Sequence, residues 1–235
     1  MKTLIASIII VVLVILIASC SLQKSTSTVV VLYKDVTDNL LAKPNINEIM
    51  SLYAFDNVDN GGLFYLTKIT DVSFNETAKA KIPEQNHWFS NEFDRNKEIS
   101  NFKNEILKIL THAYIDSSGR GNSSIYLPIA RALNELSTNK MQKRVMLIYS
   151  DLMENTIEMS FYDKYKMYLL KTNPDSIAKY FDDQLPLKNL KGIDIYIVYQ
   201  PVGINQDEQF KIVSGFYLRM FESEGANVQI VANMN

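Results

Sequence analysis

A cluster of oxygen-bearing side chains directly follows an apolar, β-branched stretch early in the chain. The stretch begins at Thr28, reads Thr-Val-Val-Val-Leu-Tyr and is typical of a strand buried on both faces. The cluster consists of Asp35, Thr37, Asp38 and Asn39. Because Asp35, Thr37 and Asn39 occupy alternate positions, their side chains could converge from one tight loop. Their oxygens suit Mg²⁺, Ca²⁺ or Mn²⁺ rather than zinc. An ordinary turn rich in Asp and Asn explains the same residues without any ligand.

Two further polar loops occupy comparable places later in the chain. Ser123 and Ser124 precede an apolar helix that we predict at Ile125–Leu136. Ser150 and Asp151 follow a second buried strand. Ligands of open α/β sheets bind beyond the carboxyl ends of the strands, so we expect these loops to meet the first one at a single rim. The two serines before the helix also suit simple helix capping.

Strands and helices alternate along the chain, which predicts an α/β fold. Apolar stretches predict strands at Val29–Tyr33, Leu63–Ile69, Val72–Ile82, Arg144–Tyr149, Ile193–Tyr199 and Asn227–Val231. Helical periodicity predicts helices at Pro44–Phe55, Phe93–Tyr114, Ile125–Leu136, Tyr162–Leu170, Pro174–Phe181 and Asp207–Glu222. We expect a three-layer, Rossmann-like arrangement, in which a mostly parallel central sheet with one antiparallel edge strand carries helices on both faces. The first, fourth and fifth of these strands should be central, adjacent and parallel.

The beginning of the chain has the features of an export signal. Lys2 precedes an apolar run from Leu4 to Ala18, which is the length of a signal-peptide core and short for a membrane span. The sequence Ile-Ala-Ser-Cys that ends at Cys20 resembles the lipobox of bacterial lipoproteins. This resemblance implies that residues 1–19 are removed and that Cys20 carries lipid such as palmitate. Residues 20–27 then form a polar tether to a single domain at 28–235, on a membrane of the bacterial cell envelope.

Composition limits the classes of function. A single Cys in an exported chain leaves no disulfide framework. The folded part must therefore rest on its apolar core, which a composition of 47% apolar residues permits. A net charge of −2 argues against a nucleic-acid partner.

The order of the elements, together with the three polar loops, resembles the von Willebrand factor A (vWA) domain and its metal-ion-dependent adhesion site. In that family the first loop reads Asp-x-Ser-x-Ser, the second offers a Thr, and the third reads Thr-Asp-Gly. The resemblance implies a site for Mg²⁺ or a similar divalent cation, with one coordination position left for an acidic group of a partner. Its ligands would be Asp35, Thr37, Asn39, Ser123 (or, as an alternate, Ser124) and Asp151. The chain departs from the pattern at Asn39, at Ser123 and at Leu152, which stands where Gly is common.

These features predict a membrane-anchored lipoprotein that binds an envelope protein and has no catalytic activity. One alternative is a Mg²⁺-dependent hydrolase or phosphatase-like enzyme. Against it, position 37 is Thr rather than the second Asp of an Asp-x-Asp signature, and no phosphate-binding Gly-Lys-Ser/Thr loop is present. The two histidines, His87 and His112, give little support for a nucleophile–base pair. The other alternative is a periplasmic solute-binding lipoprotein, for which the chain is short, since such receptors usually have two lobes.

Overall fold

The computed structural model describes residues 25–36, 41–69, 75–85, 91–115 and 123–234. The predicted signal peptide, Cys20 and most of the predicted tether lie outside this range, so their predictions remain predictions. Within the described range, no helix combines the length and apolarity that crossing a membrane requires.

A six-stranded sheet forms the centre of the domain. Its strands are β1 (Ser27–Asp35), β2 (Gly61–Ile69), β3 (Thr77–Ile82), β4 (Lys143–Tyr149), β5 (Ile193–Val198) and β6 (Asn227–Val231). Their order across the sheet is β3-β2-β1-β4-β5-β6. The pair β2–β3 is antiparallel and the other four pairs are parallel. The predicted fold class is confirmed, including the antiparallel edge strand and the adjacent, parallel central strands β1, β4 and β5.

Helices cover both faces of the sheet and complete the three layers. They are α1 (Ile46–Ser51), α2 (Glu92–Ile115), α3 (Tyr126–Thr138), α4 (Lys164–Thr172), α5 (Pro174–Gln184) and α6 (Ile204–Ser223). Helix α1 packs with α2, whereas α3, α4, α5 and α6 form a second group of contacts. The predicted helix at Pro44–Phe55 is shorter in the structure and ends at Ser51. It begins only at Ile46, because the side chain of Asn45 accepts a hydrogen bond from the amide of Asn47 and caps the helix one residue after the proline.

The central strands are buried on both faces, as their unbroken apolar sequences predicted. Strand β4 is buried from Val145 to Tyr149, and β1 is buried from Thr28 to its end at Asp35. The rings of Tyr126 and Phe181 stack with their centroids 4.3 Å apart, so that α3 packs against α5. Each large apolar side chain buried in this way contributes about 1.5–3 kcal/mol to folding. The strand ends therefore belong to a tightly packed sheet.

The direction of the chain across the sheet reverses between β1 and β4. From β1 the chain moves outward through β2 and β3, then crosses to β4 and continues through β5 and β6. Reversals of this kind open a crevice at the carboxyl ends of the two strands, where open α/β sheets bind ligands. Strand β1 ends at Asp35, and Ser150 directly follows the end of β4 at Tyr149, so Asp35 and the third polar loop lie at this reversal.

Candidate metal site

A hydrogen bond between Ser150 and Asp35 joins the ends of β1 and β4. The Ser150 hydroxyl donates to Oδ2 of Asp35 at 2.9 Å, and Ser150 Oγ also accepts a hydrogen bond from the backbone amide of Leu152 at 2.9 Å. Both side chains are buried, with Asp35 only 1% exposed. A buried carboxylate is stable only when polar partners replace the water that it has lost. The Ser150 hydroxyl therefore both holds the carboxylate and starts the turn that follows β4.

The turn after β4 has an unusual backbone conformation. Leu152 has a φ of 63°, in the left-handed region that costs a residue with a side chain about 1–2 kcal/mol. This is the position at which the vWA pattern commonly has Gly. Burial of the Leu152 side chain in the apolar core offsets the strain. Within the same turn, Oδ1 of Asp151 accepts a hydrogen bond from the Met153 amide at 2.9 Å.

The loop before α3 is paired with the loop after β4. The backbones of Ser123 and Asn155 exchange two hydrogen bonds, from each amide to the other residue's carbonyl, at 3.1 and 2.8 Å. The Ser123 hydroxyl also donates to the Met153 carbonyl at 3.4 Å. Since the amide of Met153 donates to the carboxylate of Asp151, Ser123 and Asp151 are joined through one residue. The second and third polar loops of the sequence thus lie side by side.

Glu154 caps the N-terminus of α3 from this neighbouring loop. Its Oε2 accepts hydrogen bonds from the amides of Ile125 and Tyr126 at 2.9 and 2.8 Å. Burial raises the pKa of Glu154 to about 7, and the negative charge of Asp35 also raises it. The two amides and the hydroxyl of Ser124 act in the opposite direction and favour the charged form. Two buried carboxylates therefore influence each other at the rim.

The predicted ligands that the structure describes fall into separate groups of contacts. Asp35 bonds to Ser150, while Ser123 and Asp151 meet at Met153. The alternate ligand Ser124 lies beside Glu154. Thr37 and Asn39 lie outside the described residues, so the predictions for them stay predictions.

Two residues of the rim were not among the predicted ligands. Ser150 had a signal in the sequence, because it directly follows a buried strand. Glu154 had none, since its bonding partners Ile125 and Tyr126 are nearly thirty residues away in the chain. No local spacing rule connects residues so far apart.

The donor chemistry of the rim suits an oxygen-preferring cation. The side chains that it presents are carboxylates and hydroxyls, as Mg²⁺ and Ca²⁺ prefer. Among the residues described, no group of three or more His, Cys, Asp or Glu side chains could hold a metal. Serine hydroxyls would therefore have to complete the shell around Asp35 and Asp151. A cation placed near Asp35 would also reduce the repulsion between its charge and that of Glu154.

No protein-family model matches this sequence, and no curated protein matches it. Among solved structures, a mutant of the PilB minor pilin from Streptococcus sanguinis is 11% identical with a TM-score of 0.46, covering 92% of this chain and 59% of its own. Proximal thread matrix protein 1 from the mussel byssus is 11% identical with a TM-score of 0.29, covering 83% of this chain and 48% of its own. The chain thus spans less than two thirds of either structure. Similarity at this level assigns no function.

Proposed function

We propose that this protein is a lipoprotein of the bacterial cell envelope, whose vWA-like domain binds a protein partner through a divalent cation of the Mg²⁺ type. The observation that carries the proposal is the hydrogen bond from Ser150 to Asp35, which ties together the two strand ends at the reversal of the sheet. The pairing of Ser123 with Asn155 supports the proposal further, because it joins the loop before α3 to the loop after β4. These contacts of Asp35, Ser123 and Asp151 support the arrangement that the vWA resemblance implies.

Asp35, Ser123 and Asp151 would hold the cation, with Thr37 and Asn39 of the first loop. A bound cation of this kind supplies an open coordination position that attracts a carboxylate of the partner. The protein's own contribution is to hold the donors in place: Ser150 fixes Asp35, and Met153 connects Ser123 with Asp151. Such fixed donors lose little conformational freedom when a ligand binds.

The direction of β1 supports the assignment of the rim to partner binding. The predicted tether from Cys20 leads into β1 at Ser27, and the site begins at Asp35 at the other end of the same strand. Eight residue steps at about 3.3 Å each separate the two ends by about 26 Å. A lipid on Cys20 would therefore leave the rim on the side of the domain that faces away from the membrane.

Partner capture from the native envelope tests this function. The tagged full chain would be cross-linked in cells and purified in the presence of either Mg²⁺ or EDTA. We expect an envelope protein that is captured with Mg²⁺, released by EDTA, and lost in Asp35→Asn. The control is Asp207→Asn, which changes an exposed carboxylate on α6 that pairs with Lys211. Capture that is the same with Mg²⁺ and EDTA, or that survives Asp35→Asn, would contradict the proposal.

A further inference from the structure

A small cavity opens beside the candidate metal site, between the loop after β4 and the start of α6. Its volume is about 90 Å³, well below the roughly 300–1,000 Å³ of sites for drug-sized ligands. The described residues that line it are Asp151, Met153, Tyr162, Tyr199, Gln206, Gln209 and Phe210. A cavity of this size accommodates one side chain rather than a whole cofactor.

The lining combines negative charge, aromatic rings and an apolar wall. Asp151 is the one charged side chain among the described residues of the lining. Tyr162 and Tyr199 contribute aromatic rings, whose faces attract an ammonium or guanidinium group. Phe210 packs against Tyr199 with ring centroids 4.8 Å apart and supplies apolar surface for an aliphatic stem. This chemistry complements a cation at the end of an alkyl chain, as in Lys or Arg.

Exposed apolar side chains occur in the lining itself and in the segment that leads into Gln206 of the lining. Tyr162 is 60% exposed, Val202 is 73% exposed and Ile204 is 79% exposed. The backbone amide of Val202 donates to Oε1 of Gln206 at 2.9 Å, which connects this apolar surface directly to a residue of the lining. Exposed apolar groups close to a small polar pocket are typical of a protein-binding hot spot rather than of a site for a free solute.

We propose that the cavity receives a Lys or Arg side chain of the protein partner, with the neighbouring apolar residues of that partner packing on Val202 and Ile204. The inference rests on the proposed function in one respect, that the occupant of the rim is a protein. It does not require the cation. Because Asp151 is also a proposed ligand of the cation, its carboxylate would be shared between the metal and the basic side chain of the partner when both are bound.

Small probes test the cavity directly. The full chain in detergent micelles and EDTA would be titrated with butylguanidinium, butylammonium and the uncharged 1-butanol, and binding followed by NMR of the tyrosine rings. We expect both cations to bind at least about tenfold more tightly than butanol. Asp151→Asn should remove this preference, because it deletes the charge while its amide oxygen still accepts from the Met153 amide. Asp207→Asn, outside the lining, should leave binding unchanged.

A second titration separates a partner's side chain from a free small cation. An acetylated Leu-Arg-Leu amide should bind at least about fivefold more tightly than butylguanidinium, and Ile204→Ser should remove only that additional gain. No binding of either cation, equal binding of butanol, or unchanged binding in Asp151→Asn would overturn the inference. So would a peptide that binds no more tightly than butylguanidinium. Because all measurements are made in EDTA, these outcomes are independent of whether the metal site exists.

Discussion

The hydroxyl of Ser150 donates a 2.9 Å hydrogen bond to the buried carboxylate of Asp35, across the point where the chain reverses its direction through the sheet. The two residues are far apart in sequence, but Asp35 ends β1 and Ser150 directly follows β4, and these two strands are adjacent and parallel. Their bond fixes one oxygen donor of the candidate metal site and begins the turn that carries Asp151. The stability of the rim and the proposed binding of a cation would therefore depend on the same contact.

Removal of the Ser150 hydroxyl should destabilise the fold. Ser150→Ala leaves a buried carboxylate without this donor, which costs about 1–3 kcal/mol of the free energy of unfolding. Urea unfolding measures the loss. The matched control is Ser137→Ala on α3, where the hydroxyl donates to the Asn134 carbonyl in a partly exposed position, and where a change within about 0.5 kcal/mol is expected. Equal effects of the two substitutions would show that the Ser150 contact has no special role.

Glu154 should make the metal-free domain less stable as the pH rises. Its pKa is about 7 in the folded chain and 4.5 as the ordinary value, so the folded state binds more protons between these values. The free energy of unfolding should therefore fall from about pH 4.5 to about pH 7 and level off above. Glu154→Gln should remove this contribution, because the amide resembles the neutral acid. Urea unfolding of both proteins in EDTA checks it, and parallel pH profiles would refute the prediction.

The backbone strain at Leu152 should appear as a difference in the free energy of unfolding between two variants at this position. Leu152→Ala deletes a buried side chain at a cost of about 2–5 kcal/mol and keeps the unfavourable backbone conformation. Leu152→Gly deletes the same side chain but adopts a φ of 63° freely. We expect Leu152→Gly to be more stable than Leu152→Ala by about 1 kcal/mol. An alanine variant as stable as the glycine variant, or more stable, would mean that the turn is unstrained.

Cys20 should carry the membrane anchor. Cys20→Ser removes the thiol that the lipobox resemblance assigns to lipidation, so the protein should lose metabolic labelling with palmitate and accumulate unprocessed or released chain. Cell fractionation with immunoblotting follows both effects, and Ser25→Ala, within the predicted tether, is the control. Unchanged membrane partition and unchanged processing of Cys20→Ser would exclude a lipid anchor at this residue.

The sheet was predictable from the sequence because burial on both faces leaves an unbroken apolar pattern, as in Val145–Tyr149. Helix ends were less predictable: α6 begins at Ile204, three residues before the predicted start at Asp207. The contacts of Glu154 could not be predicted, since a helix cap supplied from another loop depends on tertiary packing. The side-chain oxygens of the site are visible in the sequence, whereas their mutual arrangement is not.

Binding of Mg²⁺ by the purified full chain tests the central claim most directly. Thermal unfolding and calorimetric titration would compare the wild-type chain with Asp35→Asn and with the control Asp207→Asn. For a dissociation constant of about 1 mM, 10 mM Mg²⁺ adds about 1.4 kcal/mol of stability. We predict a saturable shift of this order in the wild type and in Asp207→Asn, and its loss in Asp35→Asn. No saturable shift with Mg²⁺, Ca²⁺ or Mn²⁺, or a shift that Asp35→Asn retains, would contradict a cation site at the rim.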